Sequence, residues 1–124
     1  MNIFQLVDSV AGRKPGQALK ILNELILNGE PIPIILTMII RQYRLMLNSK
    51  LLSMKGYSGS EISRNLSLNP YVGSKIIQLS SKYTVDQLEQ RLKMCLNADY
   101  SIKTGNTEQR IAVECLIVEF AKVN

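Results

Sequence analysis

The segment that most strongly indicates the architecture covers residues 31–47 and reads PIPIILTMIIRQYRLML. Its apolar side chains fall on nearly every side of a helix, and the polar interruptions are Arg41, Gln42 and Arg44. A helix that is apolar all round is usually central to a core. Its charge-free part, residues 31–40, is ten residues long, whereas a membrane span needs roughly 20. The segment therefore predicts the central helix of a globular domain.

Helix caps and breakers divide the rest of the chain into further helices. The predicted starts lie at Asn2, Pro15, Ser58 or Ser60, Asn69-Pro70, Thr84 and Thr107. The predicted ends include Gly12, Asn28-Gly29, Lys55-Gly56 and Gly105. The clearest start is a capping box in which Thr84 and Gln87 each satisfy a backbone donor of the other. No stretch alternates as a strand does, so we predict an all-α fold, a single bundle of about seven helices forming one domain over residues 1–124.

The composition predicts a folded chain and excludes several classes of enzyme. Leu, Ile, Val and Phe make up 40 of the 124 residues, which is enough for a core. There is no His, which excludes a Ser-His-Asp triad, a Cys-His pair and zinc held by histidine. The glycine-rich loop with lysine that binds nucleotide phosphates is also missing. We therefore predict no catalytic residue, no cofactor and no metal site, and a protein that is not an enzyme.

Cys95 and Cys115 are the two cysteines of the chain. Both lie in apolar stretches with helical periodicity, so we predict small buried side chains in a reducing compartment. Asp8 lies within the first apolar stretch and no basic segment precedes it, which argues against a signal peptide. Together these features predict a soluble, cytoplasmic protein.

The net charge of +5 is concentrated in the middle of the chain. Residues 41–82 carry seven bases and a single acid, Glu61. Such a segment attracts phosphates or an acidic partner surface, or it is the solvated face of a moderately basic domain. Its candidate phosphate contacts are Arg64, Lys75 and Lys82.

Residues 60–75 read SEISRNLSLNPYVGSK and resemble a helix-turn-helix motif. The pattern predicts that Ile62, Leu66 and Leu68 face inward. Ser67 stands where the turn of that motif usually has glycine. Three interpretations stay open: a structural hairpin of two helices, a DNA reader whose second helix enters the major groove, and a non-specific phosphate contact.

The third and last helices carry more apolar surface than seven short helices need to bury one another, and such a surplus marks an oligomer interface. We predict that the faces around residues 34–47 and 111–120 are partly exposed. Arg41 and Arg44 share a helix face, so they contact another subunit, extend out of the core, or pair with acids of the same chain. The candidate subunit contacts are Arg41, Tyr43, Arg44, Ile111, Leu116 and Phe120.

Six short segments follow one another in a characteristic order. They are IFQLVD at residues 3–8, Ala18-Leu19 with Leu22, GEP at residues 29–31, RQYRL at residues 41–45, the hairpin from Glu61 to Leu68, and Asp99 with IKTG at residues 102–105. Together they resemble the C-terminal helical domain of the delta subunit of bacterial DNA polymerase III. The resemblance covers nearly the whole chain.

This resemblance implies a helical collar domain of the clamp loader. In that family the collar packs against the collar domains of the tau/gamma and delta-prime subunits and holds the pentamer together. The family's two AAA+-like domains and its clamp-opening element precede the collar and are not among these residues, so Met1 is interpreted as an added start. Contact with the sliding clamp is then made only through the missing N-terminal domain, and contact with DNA is indirect or weak. The family's delta subunit also lacks a working ATP site.

We therefore predict a non-catalytic subunit-assembly domain that supports loading of the sliding clamp in DNA replication. Two alternatives stay open: a helix-turn-helix DNA-binding regulator using residues 60–82, and an unrelated helical adaptor. A regulator would bind one DNA sequence with steep salt dependence, whereas a collar domain would bind DNA weakly and without sequence preference. Co-purification with the tau/gamma and delta-prime subunits separates the collar from the adaptor.

Overall fold

The computed structural model describes residues 3–122, which form seven α-helices. They are α1 (Ile3–Ala11), α2 (Pro15–Leu27), α3 (Ile32–Met54), α4 (Gly59–Asn65), α5 (Pro70–Ser80), α6 (Val85–Lys103) and α7 (Gln109–Phe120). This part of the chain contains no β-strand, which confirms the predicted all-α class. Among the same residues, no helix combines the length and the hydropathy needed to cross a bilayer. The predicted cap at Asn2 lies outside the described residues.

The helices are distributed over two compact units. Residues 3–40 and 93–122 form the terminal unit, and residues 41–92 form the central unit. The long helices α3 and α6 each contribute residues to both units. The prediction that the whole chain is one domain therefore stays a prediction.

In the terminal unit, α1, α2 and α7 pack on one another. The side chains with almost no exposed surface include Leu6 on α1, Ala18 and Leu22 on α2, and Val113 on α7. Ala18 and Leu22 are four residues apart, the spacing that places side chains on one helix face. Burial stabilises each large apolar side chain by roughly 1.5–3 kcal/mol, so packing rather than helix propensity holds these short helices.

In the central unit, α4 packs on α5 at Gly73. A β-carbon added at Gly73 would lie 2.7 Å from the β-carbon and 3.3 Å from the α-carbon of Ser63. Both residues are buried, and so are Ile62 and Ile76 on the same two helices. Glycine is therefore the residue that lets the two helices approach this closely.

The turn between α4 and α5 depends on Ser67, which has a φ of 58°. This left-handed conformation is the one that glycine adopts more readily than other residues, so serine replaces the glycine usual in such turns. Ile62 is buried as predicted, and Leu66 and Leu68 are partly buried. The hairpin predicted at residues 60–75 is therefore present, with α4 and α5 as its two helices.

Local hydrogen bonds set several of the predicted helix ends. Ser58, rather than Ser60, caps α4, and it forms a capping box with Glu61. At the start of α6 the Gln87 backbone N–H donates to the Thr84 hydroxyl at 3.1 Å, and the Thr84 backbone N–H donates to the Gln87 side chain at 2.9 Å. These reciprocal bonds confirm the predicted capping box.

Two predicted helix boundaries differ in detail from the structure. α1 ends at Ala11, immediately before Gly12 as predicted, but the residue in the left-handed conformation is Arg13, with a φ of 59°. The predicted cap of α7 at Thr107 is wrong, because the Thr107 and Ser101 hydroxyls are hydrogen-bonded to each other at 2.6 Å. The cap is Glu108, whose two carboxylate oxygens accept from two backbone N–H groups at the start of the helix.

The buried hydroxyl of Ser49 on α3 gives a first prediction. Ser49 is fully buried, and its Oγ has no hydrogen-bond partner among residues 3–122. Because Ser49→Ala removes a desolvated polar atom and leaves only a small void, we expect a gain of about 1 kcal/mol, or about 4 °C in Tm. Thermal unfolding measures it, and the exposed Ser53→Ala on the same helix is the control. A fall in Tm for Ser49→Ala would show that the hydroxyl has a stabilising partner.

Candidate functional site

The described residues contain no arrangement typical of a metal centre. Within residues 3–122, no group of three or more His, Cys, Asp and Glu side chains could hold a metal ion. Glu114 pairs with Arg110 on the same helix at 3.4 Å, and Glu119 pairs with Lys122, just after the end of α7, at 2.9 Å. The informative features are therefore exposed surfaces.

An apolar stripe runs along the outer side of α7. Ile111 is 55 % exposed, Val118 is 36 % exposed, and Cys115 between them is exposed. These three residues occupy positions i, i+4 and i+7, which places them on one face of the helix. We call them the α7 stripe. Cys115 was predicted to be buried and is not, whereas Cys95 is buried as predicted.

A shallow groove lies beside the α7 stripe, between α6 and α7. It has a volume of about 390 Å³ and is lined by Met94, Asn97, Ala112, Cys115, Leu116 and Glu119. Cys115 belongs to both the groove and the stripe, so the two form one surface. On α6, Leu96 is 44 % exposed and Tyr100 is 69 % exposed. The terminal unit therefore presents exposed aliphatic and aromatic side chains on the two helices that border this groove.

The position of α7 is held by polar contacts at its start. Arg110 donates from Nη2 to Oδ1 of Asn23 on α2 at 2.9 Å, and from Nε to Glu114 at 3.4 Å. Glu108 caps the helix through the backbone N–H groups of Arg110 and Ile111. Of these contacts, the Arg110–Asn23 hydrogen bond joins α7 to α2, whereas the other two stabilise the first turns of α7 itself.

Of the three contact residues predicted on α7, one is exposed and two are buried. Ile111 is exposed, as a surface contact requires, but Leu116 is 6 % exposed and Phe120 is 3 % exposed. Leu116 and Phe120 therefore belong to the core of the terminal unit, and this corrects their assignment to the surface. Cys115 and Val118, which were not among the predicted contacts, are exposed instead. The partial exposure predicted for residues 111–120 is confirmed.

The three contact residues predicted on α3 also differ in exposure. Arg41 and Arg44 are exposed, whereas Tyr43 is 1 % exposed. Its ring packs edge-on against Tyr83, with ring centroids 6.3 Å apart, and the Arg91 guanidinium lies 4.8 Å from the Tyr83 ring centroid. Tyr43 is thus a core residue of the central unit. Arg91 is a buried base that sequence analysis missed, although it lies three residues after Leu88 on the face that is buried.

Partial exposure is also confirmed for residues 34–47. Ile34 is 48 % exposed, and Arg41 and Arg44 are exposed, while Leu36 and Met46 are buried. The first part of α3 belongs to the terminal unit and the second part to the central unit. Each unit therefore has some exposed surface on this helix.

The net charge differs between the two units. The central unit carries eight bases and three acids, a net charge of +5, whereas the terminal unit carries seven of each and is neutral. Of the candidate phosphate contacts, Arg64 and Lys82 are exposed. Lys75 is partly buried, and its Nζ lies 4.9 Å from the centroid of the Tyr71 ring. All three belong to the central unit.

The cap of α7 gives a prediction of pH dependence. Hydrogen bonds from the backbone N–H groups of Ile111 and Arg110 lower the pKa of the Glu108 carboxyl below its usual value of 4.5. A carboxyl with a lowered folded-state pKa stabilises the protein above the unfolded-state pKa, and this contribution is lost as the pH falls through the folded-state value. We expect Glu108→Gln to lower Tm at neutral pH, with a difference from the parent chain that narrows below pH 4.5. Glu24→Gln is the control, because it changes an exposed carboxylate that does not cap a helix N-terminus. A Tm difference that stays constant with pH would contradict the assignment.

Three comparisons relate the chain to known proteins. A family model described as DNA polymerase III delta subunit, C-terminal domain, matches residues 1–120. DNA polymerase III subunit delta of Bacillus subtilis (strain 168) is 28 % identical over 124 residues, which are 99 % of this chain and 35 % of that protein. The solved structure of the Bacillus subtilis DNA clamp loader delta protein (YqeN) superposes with a TM-score of 0.92 and 25 % identity, covering 98 % of this chain and 36 % of that one. The chain thus spans about a third of the length of these relatives.

Proposed function

Because the chain belongs to the DNA polymerase III delta subunit, C-terminal domain family, we propose that it is a non-catalytic collar domain that assembles the clamp loader. The proposed partners are the collar domains of the tau/gamma and delta-prime subunits, in the cytoplasm. In this proposal the 124 residues act as one domain, and the AAA+-like domains of the whole protein contact the sliding clamp.

The observation that carries the proposal is the α7 stripe with its adjoining groove. Ile111, Cys115 and Val118 expose apolar surface on one face of a helix whose opposite face is buried. Exposed apolar surface of this kind, bordered by polar groups such as Asn97 and Glu119, is typical of a protein interface. The terminal unit carries no net charge, which suits a contact dominated by apolar burial.

Arg41 and Arg44 are proposed as a second, polar contact. Both are exposed on α3 and lie three residues apart, so their guanidinium groups share a face of the helix. Guanidinium groups bind carboxylates of a partner in a fixed, bidentate geometry. We assign them to the rim of an interface, where charged contacts affect association rate and orientation more than affinity.

Size-exclusion chromatography with light scattering tests the proposal. We expect the 124-residue chain, and the full-length subunit that contains it, to co-elute with the tau/gamma and delta-prime subunits. We also expect the purified chain to hydrolyse no ATP. If neither form co-eluted with any clamp-loader subunit, the proposed assembly role would be wrong. Turnover of ATP by the 124-residue chain would contradict the non-catalytic assignment.

A further inference from the structure

The outer face of α5 is polar and contains no acid. Tyr71, Ser74, Gln78 and Lys82 are exposed, and Lys75 is partly exposed. Their spacing of i, i+3, i+4, i+7 and i+11 places them on one side of the helix and of the turn that continues it. We call these five residues the α5 face. Each carries a hydroxyl, amide or ammonium donor, and hydroxyl, amide and ammonium donors are the groups that contact phosphate oxygens in protein–DNA complexes.

The charge around the α5 face is positive. The central unit has a net charge of +5. Glu61, the single acid among residues 41–82, accepts a hydrogen bond from the Ser58 backbone N–H at 2.9 Å as part of the capping box of α4. The two other acids of the unit, Asp86 and Glu89, lie on α6. Neither α5 nor the turn that precedes it carries an acid that would repel an anion.

The chemistry of the α5 face favours nucleic acid over a protein partner. Its exposed side chains include no aliphatic residue, whereas the α7 stripe exposes Ile111 and Val118. Protein interfaces have an apolar core, while protein–DNA interfaces are more polar and far more positive. Single-stranded binding uses several stacked aromatic rings, and the α5 face has one, Tyr71, which lies beside the Lys75 ammonium. A duplex is therefore the better match.

The α5 face is presented on a tightly packed support. The contact between Gly73 and Ser63 leaves no space for a β-carbon between α4 and α5. Asn69 caps α5 by accepting from the Val72 backbone N–H at 2.9 Å. On α4, Arg64 is exposed and adds a third base to the hairpin. The packed helices thus hold Arg64 on α4 and Lys75 on α5, and Lys82 lies in the turn that follows α5.

We propose that the α5 face, with Arg64, binds the phosphodiester backbone of duplex DNA without reading its sequence. This contact differs from a helix-turn-helix regulator, which would discriminate between base sequences. It is also independent of the subunit contact proposed for the terminal unit, so either proposal can fail while the other holds.

Fluorescence anisotropy with a labelled duplex tests the proposal. The 124-residue chain is titrated into duplexes of two unrelated sequences, about 20 base pairs long, between about 50 and 200 mM salt. With three phosphate contacts we expect a Kd on the order of 10⁻⁴ M, equal for both sequences, and a slope of log K against log salt of about −3. Lys75→Gln/Lys82→Gln removes two of the three contacts, so we expect binding at about 50 mM salt to weaken by more than about 100-fold, below the detection limit.

Matched variants control for net charge and folding. Lys14→Gln/Lys20→Gln removes the same two charges from exposed positions in the terminal unit and should leave affinity and slope unchanged. Lys75→Arg/Lys82→Arg keeps the charge and should keep binding, and circular dichroism checks that all variants fold. Three results would overturn the proposal. The terminal-unit variant could weaken DNA binding as much as Lys75→Gln/Lys82→Gln does, the chain could prefer one of the two DNA sequences, or it could bind poly-glutamate more tightly than DNA.

Discussion

Gly73→Ala is expected to destabilise the protein by about 2 kcal/mol, or about 8 °C in Tm, although alanine is the better helix former. The added β-carbon would lie 2.7 Å from the β-carbon of Ser63, and rotation of the serine side chain does not move that atom. The α-carbon of Ser63, at 3.3 Å, limits further adjustment. The two helices must therefore separate, which loosens the packing of Ile62 and Ile76.

Two variants separate this clash from general effects of the substitution. Gly16→Ala on α2 adds a β-carbon where no atom lies within 4 Å, so it should be neutral or slightly stabilising. Ser63→Gly removes the clashing β-carbon, so Gly73→Ala should cost less in that background than in the parent chain. The parent chain, Gly73→Ala, Ser63→Gly and the double variant form a double-mutant cycle, and thermal and denaturant unfolding measure the stability of each. Additive effects in that cycle would contradict a direct clash between residues 63 and 73.

Ile111→Glu/Val118→Lys is expected to weaken binding to the clamp-loader partner subunits by about 100-fold, because two apolar anchors of the α7 stripe become charged. The charges are placed for helix stability, with the acid near the N-terminal end of α7 and the base near its C-terminal end. The net charge of the chain is unchanged, and both positions are already solvent-accessible. Fold stability should therefore be nearly unaffected, which isolates the effect on binding.

The control places the same pair of charges on exposed apolar residues of the central unit. Leu51→Glu/Met54→Lys changes side chains that are 39 % and 69 % exposed near the end of α3. We expect it to bind the partner subunits like the parent chain in calorimetry. Equal weakening by both double variants would indicate a non-specific effect, and unchanged binding by the α7 variant would exclude the α7 stripe as the interface.

Much of the fold was predictable because its signals are local. The capping residues Ser58 and Thr84 act on backbone groups within three residues of themselves, and the left-handed glycine at Gly105 ends α6 within one turn. Where two local signals competed, sequence alone did not separate them. Thr107 and Glu108 are adjacent potential caps, and the choice between them depends on a hydroxyl at Ser101, six residues away.

The candidate interface was harder to predict because α7 is apolar on most sides. Leu116 and Phe120 were expected at the surface and are buried, whereas Cys115 was expected in the core and is exposed. A helix with a polar face shows its orientation in its periodicity, as α5 does with Ser74 and Gln78. A helix without a polar face, such as α7, does not show its orientation in its periodicity. Its orientation is set by the helices that pack against it.

The sequence alone determined the all-α class, most helix ends, the basic middle segment and the resemblance that the family model matches. Each of these depends on residues close together in the chain or on simple counts. Three features came only from packing between distant segments: the outward face of α7, the burial of Tyr43, and the close approach of Gly73 to Ser63. Each depends on how one helix lies against another, and helical periodicity carries no information about which neighbour covers which face.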